Sequence, residues 1–156
     1  MINYIEKNVT NYKIKLYVSC INECPIEGKI DKKKIINEIE YYMNSNLNEV
    51  CLSDTCGTLK AEDFIDIIES SSIDNYSKLS LHLHYSDDDN LLEILSYCIK
   101  KGILRYDVSY LENSGGCSVT MDDKKINSNL HYDKINELLD KIYFFEDNRY
   151  RCGHLH

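Results

Sequence analysis

Two histidines, His82 and His84, are separated by a single residue in the segment 79–85. Apolar and polar residues alternate along this segment, which predicts a β-strand. Side chains two positions apart on a strand point to the same face, so both imidazoles would project together near its C-terminal end. Neutral imidazoles bind divalent metals, and this pair could supply half of such a site. Spacing alone also allows the simpler interpretation of two histidines on the solvated face of a sheet.

The composition is that of a soluble globular protein. The chain has 156 residues, enough for one domain with a hydrophobic core, of which 43% are hydrophobic and 28% charged. A net charge of −8 argues against nucleic acid or an anionic membrane as the main partner, although a local basic pocket would still accept an anionic CoA ester. No apolar run is long enough to span a membrane and residues 1–7 do not resemble a signal peptide, so we expect a cytoplasmic protein. Seven cysteines without framework spacing predict reduced thiols.

The elements that must position the histidines follow from hydrophobic periodicity. Strands are predicted at residues 12–20, 49–53, 79–85 and 103–111, and helices at 30–46, 60–70, 88–101 and 131–144. Asp31 is the expected N-cap of the first helix, and Gly102 is expected to end the third. Four strand–helix units with regular connections predict an α/β fold with a parallel sheet. We assign residues 1–145 to this domain and residues 146–156 to a polar C-terminal tail.

In parallel α/β folds the chemistry lies on loops at the carboxyl ends of the strands. The notable polar residues of this chain fall there, namely Cys20, Cys24, Asp54, the two histidines, and Cys117 in a glycine-rich loop. Four loops that converge on one rim of the sheet predict a functional site. A zinc site built from Cys20, Cys24, Cys51 and Cys56 is the weaker interpretation, because their spacings are unlike those of zinc fingers.

Several short motifs, taken in order, resemble the hydroxymethylglutaryl-CoA lyases of the metal-dependent TIM-barrel lyase/synthase superfamily. Residues 17–20 with 24–30 resemble the family's fifth strand and its loop, and residues 52–57 are similar to the sixth-strand Asp-Thr-x-Gly motif. Residues 82–84 are similar to the seventh-strand metal pair. Residues 115–117 are similar to the Gly-Gly-Cys catalytic loop, and residues 128–130 are similar to the segment with an asparagine metal ligand. The Cys-Pro-x-Glu-Gly and Gly-Gly-Cys sequences separate the lyases from the related isopropylmalate and homocitrate synthases. The resemblance extends from about residue 14 to residue 139.

The resemblance implies a retro-aldol cleavage of 3-hydroxy-3-methylglutaryl-CoA, an acyl-CoA thioester, to acetyl-CoA and acetoacetate. It implies Mg²⁺ or Mn²⁺ held by His82, His84 and the side-chain carbonyl of Asn129, which would polarise the substrate oxygens. A base near Asp54 and His82 would remove the hydroxyl proton, and Cys117 would protonate the departing carbanion.

Each of these residues also has a structural alternative. Asp54 could bond the backbone amides of its own loop. Cys117 could be an inert small apolar residue. Asn129 could be the N-cap of the last helix.

The resemblance covers only part of a barrel. A complete (β/α)₈ barrel needs about 250 residues, and this chain matches the last four strand–helix units, half of a TIM barrel. The family's first-strand Arg-Asp pair, which supplies an arginine and an acidic metal ligand, has no counterpart here, because residues 105–107 lie on the fourth strand. Tyr85 replaces an aspartate, residues 113–114 and 118–119 depart from the family pattern, and the excursion 117–129 is longer than usual.

A half-barrel would expose its inner face, with Leu16, Val18 and Leu52 or their alternating neighbours, and two unpaired edge strands. We therefore expect a second half, either from another copy of the chain in a homo-oligomer or from a separate chain that carries the first four units. The alternative to an enzyme is a non-catalytic half-barrel that binds or assembles with a partner, or a truncated remnant of such a lyase. The missing arginine and acidic ligand favour this alternative, whereas the retained site residues favour the enzyme.

Overall fold

Four parallel strands form the central sheet of the structure, a computed structural model that describes residues 12–111 and 126–152, with side chains to residue 144. The strands are β1 (Lys15–Ser19), β4 (Glu49–Ser53), β5 (Leu79–His82) and β6 (Tyr106–Asp107), in the order β1-β4-β5-β6. A short antiparallel hairpin, β2 (Glu23–Cys24) with β3 (Gly28–Lys29), follows β1. The predicted parallel α/β arrangement is confirmed.

The helices are α1 (Lys32–Met43), α2 (Ala61–Glu69), α3 (Asp88–Lys101) and α4 (Tyr132–Cys152). The Asp31 side chain accepts a hydrogen bond from the Lys34 N–H at 3.1 Å, so it is the N-cap expected for α1. Gly102 ends α3 with φ +77°, the left-handed conformation that glycine adopts without strain. Helix α4 runs on to Cys152, into the segment assigned to the tail.

Alternate strand residues face the helices. Val50, Leu52, Leu79 and Leu81 are at most 1% exposed. They pack in one core with helical side chains, which include Ile35, Ile39, Phe64, Ile67, Leu91, Ile94 and Leu95. Leu16 and Val18 are partly buried against the same core. The apolar half of each strand is therefore covered within the chain.

The opposite face of the sheet is polar. It carries the strand residues that alternate with the apolar ones. Lys15 pairs with Glu49 at 2.6 Å and with Asp107 at 2.6 Å. Arg105 pairs with Glu49 at 3.2 Å, and the Ser80 hydroxyl donates to the same carboxylate at 2.6 Å. Two cations and two carboxylates thus balance one another on this face, which we call the open face.

Strand β6 is shorter than the predicted strand 103–111 because a returning segment takes over its pairing. The Ser109 N–H donates to the Leu130 carbonyl at 2.9 Å, and the Tyr132 N–H donates to the Ser109 carbonyl at 2.8 Å. On its other side, the Leu130 N–H donates to the Leu83 carbonyl at 3.0 Å. The segment before α4 therefore inserts between the ends of β5 and β6 and ends their parallel ladder.

The sheet is curled. Asp107 on one edge strand accepts hydrogen bonds from Lys15 at 2.6 Å and from the Tyr17 hydroxyl at 2.5 Å, and both donors lie on the other edge strand. In a flat sheet these strands would be about 14 Å apart, three spacings of about 4.8 Å, with side chains standing perpendicular to the sheet. Their contact requires a concave open face.

The turn after β4 is organised around Asp54, which is 3% exposed. One carboxylate oxygen accepts from the Gly57 and Thr58 N–H groups at 3.1 and 3.2 Å, and the other accepts from the Leu59 N–H at 3.2 Å. Burial raises the pKa of Asp54 to about 6, although the three amides favour the charged form.

This raised pKa predicts a pH-dependent stability. The folded protein binds the Asp54 proton more tightly than the unfolded chain, so the residue's contribution to the free energy of unfolding is fully present below about pH 4 and is lost as the pH rises to about 6. The shift from 3.8 to about 6 corresponds to about 3 kcal/mol.

Urea unfolding of the wild type and of Asp54→Asn, at several pH values from 4 to 7, measures this effect. The difference between their free energies of unfolding removes the contributions of the other titrating groups, which both proteins share. We expect the free energy of unfolding of the wild type, relative to that of Asp54→Asn, to decrease between pH 4 and 6 and to stay constant above that range. A difference that does not change with pH would contradict the raised pKa.

Candidate functional site

His82 and His84 lie side by side at the carboxyl end of β5. Their ring centroids are 5.3 Å apart and their planes meet at 86°. His82 is the last residue of the strand, and His84 follows it in a backbone bridge with Asn129. The shared projection predicted from the spacing is therefore present in the structure.

The ring of His84 is held by the main chain of the returning segment. Its Nδ1 lies 2.7 Å from the Asn127 carbonyl oxygen, to which it donates a proton, so Nε2 is left as the nitrogen with a lone pair. The Asn127 side chain donates to the Gly57 carbonyl at 3.2 Å, and a Cβ at Gly57, where φ is +68°, would lie 2.7 Å from that side chain. A glycine at this turn lets Asn127 approach and support His84.

His82 is flanked by strands on both sides. Its partners in register are Ser53 on β4 and Asp107 on β6. Burial, and secondarily the neighbouring His84, lowers the pKa of His82, and burial lowers the pKa of His84. Both imidazoles are therefore neutral near pH 7, the form that binds a metal.

Asn129 reaches the histidines through β-pairing. It forms an antiparallel bridge with His84, which places its side chain beside His82. Helix α4 begins three residues later, and the His131 ring accepts from the Asp133 N–H at 3.2 Å at that end. Asn129 is thus not at the N-cap, and the structure brings the three predicted metal ligands together.

The other predicted catalytic residues are placed differently. The Asp54 carboxylate bonds its own loop, which is the structural alternative foreseen for it, and the residue joins the histidine strand through its main chain, with its N–H donating to the His82 carbonyl at 3.0 Å. Cys117 and its glycine-rich loop lie outside the described residues.

The donor set suits a hard divalent cation in part. Two imidazole nitrogens and one amide oxygen are available, and the His84 imidazole gives its ring proton to the Asn127 carbonyl, the arrangement that orients metal-bound histidines. Across residues 12–111 and 126–144, no group of three or more His, Cys, Asp or Glu side chains could hold a metal. The cysteine-based zinc site is likewise not formed there.

The sequence does not single out Tyr17, Asp107 or Asn127, which support the histidines. Tyr17 lies edge-on to the His82 ring, with centroids 6.5 Å apart. The one available signal is alternation, since Lys15 and Tyr17 interleave with Leu16 and so lie on the face opposite the core. The described part of the chain contains no helix with the length and apolarity needed to cross a bilayer.

The chain matches no protein-family model. A hydroxymethylglutaryl-CoA lyase of Arabidopsis thaliana, described as mitochondrial, is 28% identical to it over 105 residues, which are 67% of this chain and 22% of the relative. The solved lyase of Brucella melitensis superposes with a TM-score of 0.70 at 23% identity, over 90% of this chain and 48% of the other.

A lyase of Acinetobacter baumannii, solved in complex with coenzyme A and 3-methylmalate, superposes with a TM-score of 0.67 at 22% identity, over 88% of this chain and 44% of the other. The chain thus spans less than half the length of these solved relatives. The Arabidopsis relative confirms the predicted resemblance to hydroxymethylglutaryl-CoA lyases, and the solved structures confirm the fold, which is the C-terminal half of a TIM barrel.

Proposed function

We propose that this half-barrel is part of a divalent-metal-dependent carbon–carbon lyase that cleaves 3-hydroxy-3-methylglutaryl-CoA to acetyl-CoA and acetoacetate. One observation carries the proposal: His82, His84 and Asn129 converge on one rim, with the ring proton of His84 given to the carbonyl of Asn127. A sheet without a site has no need of this arrangement. The coenzyme A bound to the Acinetobacter relative supports an acyl-CoA ligand.

His82, His84 and Asn129 are the residues that would hold Mg²⁺ or Mn²⁺. When bound, such an ion polarises the hydroxyl and carboxylate oxygens of a substrate. The protein's part is to keep both imidazoles neutral, which burial does by lowering their pKa values, and to fix the His84 ring, which the Asn127 carbonyl does.

The acid and base of the reaction are assigned by the resemblance. A base in the neighbourhood of Asp54 and His82 takes the hydroxyl proton as the C–C bond breaks, which releases acetoacetate. The electron pair of that bond passes to the acetyl-CoA carbon, which takes a proton from the Cys117 thiol.

The rest of the barrel is needed for this chemistry. The family's arginine and acidic metal ligand have no counterpart in these residues, and the charges of the open face are engaged with one another. We propose that additional barrel units, from a second copy of the chain or from another chain, close the concave face and complete the ligand set.

Titration of the protein with Mn²⁺, followed by electron paramagnetic resonance, tests the metal site. We expect His84→Gln and Asn129→Ala to weaken Mn²⁺ binding by at least about tenfold, because each removes a donor. His131→Gln is the matched control, because that ring contacts Tyr110 and Asp133 rather than the paired histidines. Equal affinity in all four proteins, or no Mn²⁺ binding by the wild type, would overturn the site.

A coupled assay for acetoacetate tests the reaction. The chain is assayed with 3-hydroxy-3-methylglutaryl-CoA and Mg²⁺ or Mn²⁺, alone and mixed with the first four strand–helix units of the Brucella melitensis lyase. We expect turnover in the mixture and a loss of about 100-fold or more in Cys117→Ala, because the proton donor is gone.

Cys98→Ala is the matched control for that assay. This thiol is fully buried in the core and burial raises its pKa to about 12, so we expect its removal to leave turnover within about twofold. Failure to form acetoacetate in any combination contradicts a lyase.

A second candidate is a non-catalytic half-barrel that binds metal or assembles with a partner. The neutralised open face favours it, because ion pairs within the chain make that face compatible with water without a covering half. Mn²⁺ binding that survives without turnover in any mixture would select this function over the enzyme.

A further inference from the structure

The two outer helices of the half-barrel carry its exposed helical aromatic side chains. Tyr41 on α1 is 58% exposed, and Tyr143 on α4 is 53% exposed. Within the described residues, neither of the central helices, α2 and α3, has an exposed large apolar side chain. Grouped apolar residues mark an interaction surface, whereas those of an ordinary surface are scattered singly.

Helix α4 presents its aromatic side chains away from α3. Lys134 pairs with Asp88 of α3 at 2.8 Å, so it marks the side of α4 that faces its neighbour. Tyr143 is nine residues further along, which at about 100° per residue places it on the opposite side of the helix. Tyr132 lies on that side too, and the Tyr110 ring stacks on it with centroids 4.7 Å apart. We call this side the outer side of α4.

Helix α1 repeats the arrangement at the other edge. Lys32 pairs with Asp63 of α2 at 3.9 Å and so marks the side of α1 that faces its neighbour. Tyr41 is again nine residues further along and lies on the opposite side, the outer side of α1. Its ring meets the Tyr42 ring edge-on, with centroids 5.2 Å apart. Each outer helix thus has aromatic side chains where the next helix of a barrel would pack.

The two edge strands are complementary. In the described sheet β1 pairs only with β4, and β6 pairs only with β5, so each has one free side of its backbone. Because all four strands are parallel, β1 of one copy can continue the sheet beside β6 of another. Lys15 on β1 and Asp107 on β6 carry opposite charges and bond to each other within the chain at 2.6 Å, which shows that the side chains of the two edges match.

Two copies of the chain contain the number of units that a barrel needs. Each copy has four parallel strands, each followed by a helix, and a closed barrel has eight such units. The chain accordingly spans 48% of the Brucella melitensis lyase. A twofold axis along the barrel would place β1 and α1 of each copy beside β6 and α4 of the other. Both junctions are then identical, and the ring closes.

We propose that a second copy of this chain docks on the outer sides of α1 and α4, so that two half-barrels close one eight-stranded barrel. The inference deepens the proposed function, and its relevance to the site rests on that function, which leaves the source of the missing units open. In the pair, the aromatic outer sides are buried at two junctions. The polar open faces line a shared interior, and both histidine pairs lie at the same rim.

One substitution at each edge tests the docking. Tyr41→Arg on α1 and Tyr143→Glu on α4 each place a charge in both junctions of the pair, where burial of an unpaired charge is costly. Glu93→Arg is the matched control, because Glu93 is exposed on α3, which the pair leaves in solvent. Circular dichroism checks that each variant is folded.

Size-exclusion chromatography with light scattering measures the mass, in about 0.3 M salt because two chains of net charge −8 repel each other. We expect the wild type and Glu93→Arg at twice 18.2 kDa, and a dissociation constant raised at least about tenfold in each edge variant. An equimolar mixture of Tyr41→Arg and Tyr143→Glu should recover the pair. It has one unaltered junction and one in which the two introduced charges are opposite.

A wild type that stays monomeric up to its solubility limit overturns the proposal, as does a pair that neither edge variant weakens. A pair that Tyr143→Glu dissociates while Tyr41→Arg leaves it intact also overturns it, since that result places α4 against α4. If a variant does not fold, hydrogen exchange of the wild type decides. The proposal requires the amides of β1 and β6 to become more protected as the concentration rises, while those of α3 do not change.

These readouts need neither metal nor substrate. A pair that binds no Mn²⁺ and forms no acetoacetate in any mixture leaves the docking in place and contradicts the proposed function. A monomer that turns over only with the first four units of the Brucella melitensis lyase supports the function and overturns the docking, because another chain is then the occupant.

Discussion

The contact of Asp107 with Lys15 and Tyr17, across the full width of the sheet, is the constraint on which the structure depends. It can form only if the four strands curl, and the curl makes one face concave and the other convex. Helices cover the convex face, where the apolar side chains lie. The concave face keeps its charges within reach of one another and holds His82 between the two edges.

This division of each strand explains how a half-barrel can exist as an ordered unit. A hydrophobic inner face would require immediate covering, whereas the open face satisfies Lys15, Glu49 and Asp107 by mutual pairing. This pairing of charges on the open face bears on metal binding. The carboxylates of Glu49 and Asp107 are engaged by cations of the same face, and among the described residues no group of three or more His, Cys, Asp or Glu side chains could hold a metal.

Local sequence patterns predicted those elements whose bounds depend only on residues close to them along the chain. Strand β4 and helix α3 have the predicted bounds, and Asp31 and Gly102 act as predicted, because capping and alternation are local properties. Strand β6 was predicted too long, since its partner is a segment that returns from beyond residue 125. The contact of Asp107 with Lys15 and Tyr17 was not predicted, because it depends on a curl of the sheet that no single strand encodes. Asn129 was found through the family resemblance, since its sequence context fits a helix cap equally well.

The curl itself is the most direct object of measurement. In protein with selectively labelled tyrosine and aspartate, nuclear Overhauser spectroscopy reports whether the Tyr17 ring protons lie near the β-protons of Asp107. The account predicts a clear cross-peak between these residues, together with the cross-strand peaks of β1 with β4 and of β4 with β5. Absence of the Tyr17–Asp107 peak while those neighbouring peaks are present would show a flat sheet, and would contradict both the concave face and the site built on its rim.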